Sequence, residues 1–464
     1  MVLAGAGGRS YNGSMKKPVL DQNFVSMQEA LCAYERDVAA SKDAQEITIS
    51  VSHCGGCYTY RYTAFHDGVD DQRNLFIAEK LSKTLLWLVG GDTIGVSGSD
   101  VIYEGLKKIY SADGARAFDS DFMESVYERP FRVLKYEKDE VPETRLAQVS
   151  VGGHLDGCRI GFDAGGSDRK VSAVIDGEAV YSEEVVWNPK TQTDPKYHYD
   201  GILTAMKTAA SKMPRVDAIG VSSAGVYVDN KIMVASLFLK VDKKKHGDFV
   251  KNMYINVAKE FGDVPLVVAN DGDVTALAGS MSDGRNCVLG IAMGTSEAAG
   301  YINEKGGLNG WLSELAFVPV DANPAAMVDE WSGDRGVGCK YFSQDAVIKL
   351  AEAGGYKFRE ESTPAEKLKE IQALAEKGDA LARQIYEDIG VYLAHTLPFY
   401  ARFYKIGVVL LLGRVTAGVG GSILLESCKK TLKEEGFDIE VTLPDEKSRR
   451  VGQSIAAASL PAIH

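Results

Sequence analysis

Two short turns rich in glycine and hydroxyl residues, Gly165-Gly166-Ser167 and Gly294-Thr295-Ser296, each follow an apolar run that reads as a strand. Backbone amides in such turns approach phosphate oxygens closely because no Cβ intervenes, and the following hydroxyl adds a donor. A third small-residue cluster runs from Gly413 through Arg414 to Gly418, after the apolar run Val408 to Leu412. Two acids stand at strand ends. Asp163 closes the run from Cys158, and Asp271 falls between Leu266 to Ala269 and a helix-like run, Val274 to Ala278. A carboxylate at that junction can take a proton from a substrate hydroxyl. It can equally serve only to turn the chain and cap the helix, as Asn270 to Asp273 would. Asp163 has two readings as well: a capping acid, or a group holding Mg²⁺ through water, since magnesium keeps several waters and takes few protein carboxylates. A single glycine turn is an ordinary hairpin connection; two of them with a third cluster and a strand-end acid fit a clamped polyphosphate.

The elements that must position these residues follow from periodicity. Cys158 to Asp163, the glycine turn, Val171 to Val174 and Ala179 to Tyr181 read as a meander, unlike the strand-to-helix turn of a Rossmann or Walker site. A helix over 200–213 and strands at Ala218 to Val221 and Leu266 to Ala269 follow. The last third repeats the logic: Val288 to Ala292 enters the second turn, with Gly300 to Ile302 as its hairpin partner. Helices are predicted over 346–353 and 365–403, the second opened by Thr363 as cap and Pro364 at its first position. Strand, small-residue turn, strand thus begins two halves, a weak internal duplication. Nearer the N-terminus, Ile47 to Ser52 alternates as a half-buried strand and 75–88 is helical. Thr93 to Val96 is a short strand, and Ser99-Asp100 caps a helix over 101–110. Residues 138–145, charged and containing Pro142, read as a linker.

Composition narrows the classes. The chain has 464 residues, a net charge of −12 and 45% hydrophobic residues, enough for two or three domains. Residues 1–145 hold 17 Lys and Arg against 22 Asp and Glu. That sign and the lack of a helix-turn-helix pattern argue against nucleic acid as a partner. The run Val408 to Leu412 falls far short of the roughly 18 residues of a membrane span. MVLAGAGGRS has neither a basic region nor a sustained apolar stretch, so no membrane partner and a cytoplasmic location are expected. Seven cysteines, an odd number, fit free thiols. Cys54-Gly55-Gly56-Cys57, after His53, is the one pair with metal or redox spacing, and it lacks a second ligand pair.

These elements, in this order, resemble the sugar kinases of the actin-like ATPase superfamily, and among them the ROK family (repressors, open reading frames and kinases) that includes bacterial glucokinases. The resemblance covers about 157 to the C-terminal end. Ile160 to Ser167 is similar to the first phosphate motif, with Gly165, Gly166, Ser167 and Lys170 toward the nucleotide. Ala218 to Val226 is similar to the segment whose turn, here at Gly225, lies along the sugar. Val268 to Gly279 resembles the segment in which the asparagine, Asn270, binds sugar and the aspartate, Asp271, is the base. Gly307 to Phe317 resembles the sugar segment, with Asn309 and Glu314 as sugar ligands. Gly294 and Thr295 fall in the second phosphate motif, and Gly413, Arg414 and Gly418 in the adenosine motif.

The resemblance implies an α/β fold of two actin-like (ribonuclease H-like) lobes, 146–272 and 273–451, with 452–464 returning to the first. Residues 1–145 are then an additional N-terminal α/β domain of unknown role. It also implies ATP and Mg²⁺ as cofactors, the metal near Asp163 through water, and a small-molecule hexose or hexose derivative phosphorylated on a hydroxyl in the interlobe cleft. A homodimer would be unsurprising given the prevalence of symmetric oligomers, though the sequence does not fix the oligomeric state. The departures are local. Phe317 stands at the family's histidine, a sugar and zinc contact. Cys339 is the one cysteine left of the zinc segment, and Tyr341 replaces a sugar-binding glutamate, so no structural zinc is expected. Arg414 replaces a glycine, Glu297 follows the second turn, and the basic residue of the first motif is displaced to Arg169 and Lys170. These changes motivate an alternative, a catalytically impaired sugar-sensing or scaffold protein on the same fold; a related ATPase with no hexose requirement is a third reading.

Overall fold

The alternation at Ile47, Ile49 and Val51 buries those side chains in β1 (Ala44–His53), which pairs antiparallel with β2 (Gly56–Phe65) from Ala44↔Phe65 to His53↔Gly56. Cys54 and Gly55 are therefore the turn of a hairpin. The spacing that resembles a metal or redox pair leaves Cys54 exposed and Cys57 buried, both as free thiols. β3 (Thr93–Ser97) joins β1 antiparallel, and β4 (Arg132–Lys135) joins β3 parallel, in the order β2-β1-β3-β4. The helix Asp71–Val89 lies against β1 and β2 with its second half almost wholly buried. Ser99 caps the helix Asp100–Ile109 by accepting from Ile102 N–H. Residues 142–145 are no free linker. They run along β2, where Cys57 N donates to Arg145 O at 3.0 Å and Thr59 Oγ1 to Pro142 O at 2.6 Å.

The structure is a computed structural model that describes residues 15–145, 151–242, 246–444 and 452–463. They form two compact units. One comprises the described residues of Met1–Ala147, Ile291–Ala299 and Gly310–Leu443, the other those of Gln148–Gly290, Gly300–Asn309 and Pro444–His464.

In the second unit β5 (Cys158–Ala164), β6 (Asp168–Ile175) and β7 (Glu178–Val186) form the expected antiparallel meander. β8 (Ala218–Ser223) lies parallel to β5, and a two-stranded ribbon, β9 (Val226–Val228) with β10 (Lys231–Val234), follows it. β11 (Leu266–Asn270) lies parallel to β8, which gives the sheet order β11-β8-β5-β6-β7. One face of the sheet carries the helix Pro195–Ala210, whose buried Ile202, Ala205, Met206 and Ala209 share a core with Ile160, Phe162, Ile219 and Val221. The helix Gln453–Ala458 packs on β5 and β8. It comes so close that a Cβ on Gly161 would strike Ser454 O and one on Gly220 would strike Ala457 O. Glycine is the residue both strand positions require.

A sheet of order β13-β12-β14-β15 contains β12 (Val288–Met293), β13 (Glu297–Ile302), β14 (Val408–Leu412) and β15 (Val441–Thr442), with β15 parallel to β14. Its order repeats that of β6-β5-β8-β11, so the duplication read from the turns is present in the topology. The fold is α/β, and the repeated sheet order is of the actin-like, ribonuclease H-like kind. Pro364 opens a helix, with Thr363 and Glu366 forming a capping box. The continuous helix predicted over 365–403 is instead two, Pro364–Glu376 and Ala380–Tyr400. Gly378 at φ +76° breaks the first and the Asp379 side chain caps the second. Apolar periodicity runs on across the break and hides it.

In the first unit a buried ion network ties the N-terminal residues to the 310–443 stretch. Lys83 Nζ lies 2.8 Å from Asp119 Oδ1 and 2.5 Å from Asp334 Oδ2; Arg116 pairs with Asp334 and, at 2.6 Å, with Glu79. Removing one member leaves buried carboxylates short of a cation, at a cost of about 3–5 kcal/mol. Lys83→Ala is expected to lower the unfolding free energy by that amount, read as a lower urea midpoint at unchanged m, while Asp119→Asn in the Lys83→Met background recovers part of it. Equal midpoints for wild type and Lys83→Ala would refute the role given to the network.

Candidate active site

The strand-to-helix junction that heads the helix Asp271–Asp283 is built by Asn270. Its Oδ1 accepts from Gly272 N at 2.7 Å and so caps the helix, and its Nδ2 donates to Gly225 O at 2.9 Å. One side chain thus fixes both the junction and the turn at Gly225. Asp271 Oδ1 accepts from Gly272 N at 3.1 Å, and its carbonyl accepts from Gln453 Nε2 at 3.1 Å and from Thr275 Oγ1 at 2.7 Å. Burial raises the Asp271 carboxyl above its ordinary value of 3.8, against the pull of the Gly272 amide and the Lys190 charge. Asp273, two residues on, accepts from Tyr301 N and is pushed up to about 7 by burial and by Asp271.

Asp163 stands on β5 opposite Lys170 of β6 and Ser222 of β8. Burial raises its carboxyl to about 6; the Ser222 hydroxyl and Lys170 oppose the rise, whereas the Asp271 charge adds to it. Gln453 Nε2 also donates to Ser222 Oγ, at 3.0 Å, so one amide links both strand ends. The turn Gly165-Gly166-Ser167 is held at its base by Trp187, whose Nε1 donates to Gly165 O at 2.8 Å and whose N donates to Ser167 O at 3.1 Å. Ser167 Oγ lies 3.2 Å from Asp168 Oδ2. Beside Gly166 stands Lys190: a Cβ there would lie 3.0 Å from its Nζ. Lys190 follows the buried Pro189, whose carbonyl is 3.0 Å from Nε2 of the buried His198. Asn309 is half-buried, and its Oδ1 accepts from Asn303 Nδ2 at 3.1 Å. Sequence reasoning missed Lys190 and Gln453. Nothing local marks either; their place comes from where the chain returns.

In the first unit Gly294 N donates to Ser296 O at 2.9 Å, closing the second turn. Arg414 Nη2 donates to Thr295 Oγ1 at 2.5 Å, so the cluster after β14 and the second turn meet, with the guanidinium exposed above them. Gly413 packs on the Met293 backbone, and Gly418 opens the helix Gly418–Glu434 beside Glu376, which accepts from Val419 N at 2.9 Å. Glu297 turns inward from the second turn. It is 4% exposed, lies against Gly338, and neither oxygen has a hydrogen-bond partner. Burial, with the Glu314 charge, holds its carboxyl well above the usual range. Tyr341 donates its hydroxyl to Asp321 Oδ2 at 2.5 Å, and Phe317 lies on Trp87 with ring centroids 4.5 Å apart.

The donor chemistry around Asp163 fits magnesium: two neighbouring carboxyls, both raised by burial, with the Ser222 hydroxyl at hand and room in the ion's shell for water. Zinc does not fit at Cys339, whose Sγ lies 3.5 Å from Asp329 Oδ1 with aromatic carbon at position 317. Among the described residues no group of three or more His, Cys, Asp or Glu is placed to hold a metal. No described helix is long and apolar enough to cross a membrane.

The model of the ROK family matches residues 159–444. Similar solved structures include a ROK hexokinase from Thermus thermophilus, 17% identical, covering 65% of this chain and 97% of that one with a TM-score of 0.49. A ROK family glucokinase from Streptomyces griseus, in complex with glucose and AMPPNP, is 20% identical and covers 65% of this chain and 99% of its own, with a TM-score of 0.48. A ROK family transcriptional regulator, a homolog of the E. coli MLC protein, is 17% identical over 66% of this chain and 79% of its own, with a TM-score of 0.49. No curated protein matches the chain significantly.

Proposed function

Because this chain belongs to the ROK family, we propose that it transfers the terminal phosphoryl group of ATP to a hydroxyl of a hexose or hexose derivative. The observation that carries the reading is the buried Asp271 at a strand-to-helix junction, its charge coupled to Asp163 and Lys190 and the first glycine turn beside that lysine. In this reading Asp271 takes the hydroxyl proton, and Asn270, Gly225, Asn309 and Glu314 bind the sugar. The amides of Gly165, Gly166 and Gly294, with Ser167, Thr295, Lys170 and Lys190, receive phosphate oxygens, and Gly413, Arg414 and Gly418 the adenosine end. Asp163 would hold Mg²⁺ through water, and the ion, when bound, supplies neutralisation of phosphate charge. The inward turn of Glu297 supports phosphate binding, since its carboxyl is buried against Gly338 and not presented at the surface of the turn. The substrate is a small molecule, not nucleic acid, and the reaction cytoplasmic.

A second reading, a sugar sensor or scaffold without turnover, draws on Phe317 and Tyr341, which take the places of two polar sugar contacts. A coupled ADP-release assay over glucose, mannose, fructose, N-acetylglucosamine and N-acetylmannosamine separates the two. The kinase is expected to release ADP with at least one sugar and to stop on chelation of divalent metal. Sugar binding by calorimetry, with neither nucleotide binding nor ADP release, would replace it by the sensor.

A further inference from the structure

Between β13 and the helix Gln344–Ala353 the first unit carries an irregular stretch whose regular pieces are two three-residue turns, Leu315–Phe317 and Gly338–Lys340. It is tied together by its own hydrogen bonds, among them Val320 N to Gly336 O and Gly338 N to Val318 O, and it is held from outside as well. Much of its support comes from residues that precede 135 in sequence. The helix Asp71–Val89 ends here, and its last carbonyls, which lack partners within the helix, are taken by this stretch. Ser313 N donates to Leu88 O at 2.9 Å and Glu314 N to Trp87 O at 3.0 Å. The fully buried Trp87 ring then packs on Phe317, and Trp331 closes on Phe317 from another side with centroids 5.1 Å apart. Phe118 and Phe122 complete the cluster, at 4.8 and 5.8 Å from Trp331. Trp87 is itself fixed, because its Nε1 donates to Asp119 Oδ1 at 2.8 Å within the ion network that ends on Asp334. Upstream residues grip the stretch a second time: Val25 N donates to Asp321 Oδ1 at 3.1 Å and Met27 N to Val320 O at 3.0 Å.

We propose that the N-terminal residues form a positioning scaffold for the sugar-binding segment, with Trp87 setting the place of Glu314 through its carbonyl on the Glu314 amide and its indole on Phe317. The proposal rests on the assignment of Glu314 to sugar binding. A hydrogen bond weakens steeply as its distance and alignment leave a narrow range, so a carboxylate that accepts from sugar hydroxyls has to be held in place. Glu314 stands at the start of a single three-residue turn, so its backbone must be held from outside. The Trp87 carbonyl does so. Any residue would supply that carbonyl; the indole, held by Asp119 and packed on Phe317, fixes where it stands, so Trp87 is a positioning residue and the sugar-binding segment depends on a part of the chain that precedes the matched family region.

The test uses the full chain and calorimetric titration with glucose, N-acetylglucosamine and an ATP analogue. Glu314→Gln, Trp87→Ala, Trp87→Phe and Trp331→Ala are compared with wild type. Expected are losses of sugar affinity of about tenfold or more in Glu314→Gln and Trp87→Ala, with Trp87→Phe within about threefold of wild type. The affinity for the ATP analogue should change by less than about twofold throughout, a split that general loss of stability does not produce. Trp331, 55% exposed, can be truncated without opening the core, so Trp331→Ala keeps the test alive should Trp87→Ala not fold; a fall of about threefold in sugar affinity alone is expected. Weakened sugar binding in Glu314→Gln with unchanged binding in Trp87→Ala and Trp331→Ala overturns the scaffold role. If Glu314→Gln binds sugar as wild type does, the assignment of Glu314 falls and the scaffold role with it; if wild type binds none of the five sugars named above, it is the functional reading that falls.

Discussion

Asp271→Asn is expected to lower kcat by at least about a hundredfold, the lower end of a general-base contribution, with sugar affinity nearly unchanged. Asparagine keeps an oxygen where Asp271 Oδ1 accepts from Gly272 N, so the junction survives and the proton acceptor does not. Stability should move the other way. The Asp271 carboxyl is raised in the folded chain by burial, so the folded state binds that proton more tightly than the unfolded state. Its contribution to stability is fully present below the unfolded value and declines as pH rises through the folded one. At pH 8 the charged, buried carboxylate is a burden that asparagine removes, and the variant should melt no lower than wild type. A structural cap would show the reverse, a lower melting temperature with turnover little changed. Activity has the opposite pH sign from stability: the base works deprotonated, so kcat/KM rises with pH along a limb above 3.8 that Asp271→Asn abolishes. Wild-type turnover in the variant would remove Asp271 from the mechanism.

The second large effect is expected at Lys190. Its ammonium stands beside Gly166 and its charge favours ionised Asp271. Lys190→Met is expected to cut kcat/KM for ATP by about tenfold or more, since phosphoryl transfer is positioning and charge neutralisation. It should also shift the limb of the pH–rate profile upward, because a positive charge that lowers the Asp271 pKa is gone. Lys190→Arg restores the limb, as the charge returns. The side chain is exposed, so the melting temperature should hold. An unmoved limb together with unchanged kcat/KM would show the lysine to be a bystander.

Features carried by neighbours in sequence were legible. The meander, both glycine turns, the Thr363–Pro364 helix start and the Asn270–Asp271 junction each announce themselves within a few residues, and the structure has each of those elements. What depends on distant chain segments was not. Trp87 reads as one more apolar position in a helical period; that its carbonyl and ring meet Glu314 and Phe317 is a property of packing. Lys190 sits in a short turn after β7 with no periodicity around it. The Cys54 to Cys57 spacing is common to metal pairs and to hairpins, and only pairing from His53↔Gly56 onward decides between them. The break at Gly378 was hidden because apolar spacing continues through it.

The close seat of the helix Gln453–Ala458 on Gly161 and Gly220 has a consequence for how the chain is made. β5 and β8 emerge from the ribosome long before this helix, with β9 to β15 synthesised in between. Until residue 458 is available, one face of those strands lies bare and Gln453 is missing from the ends of β8 and β11. The sheet that carries Asp163 is therefore completed late, by a contact of high sequence separation, and such closure is slow. A nascent chain stalled before residue 453 would expose that face to chaperones, whereas the sheet of β1 to β4 has all its strands once residue 135 has emerged.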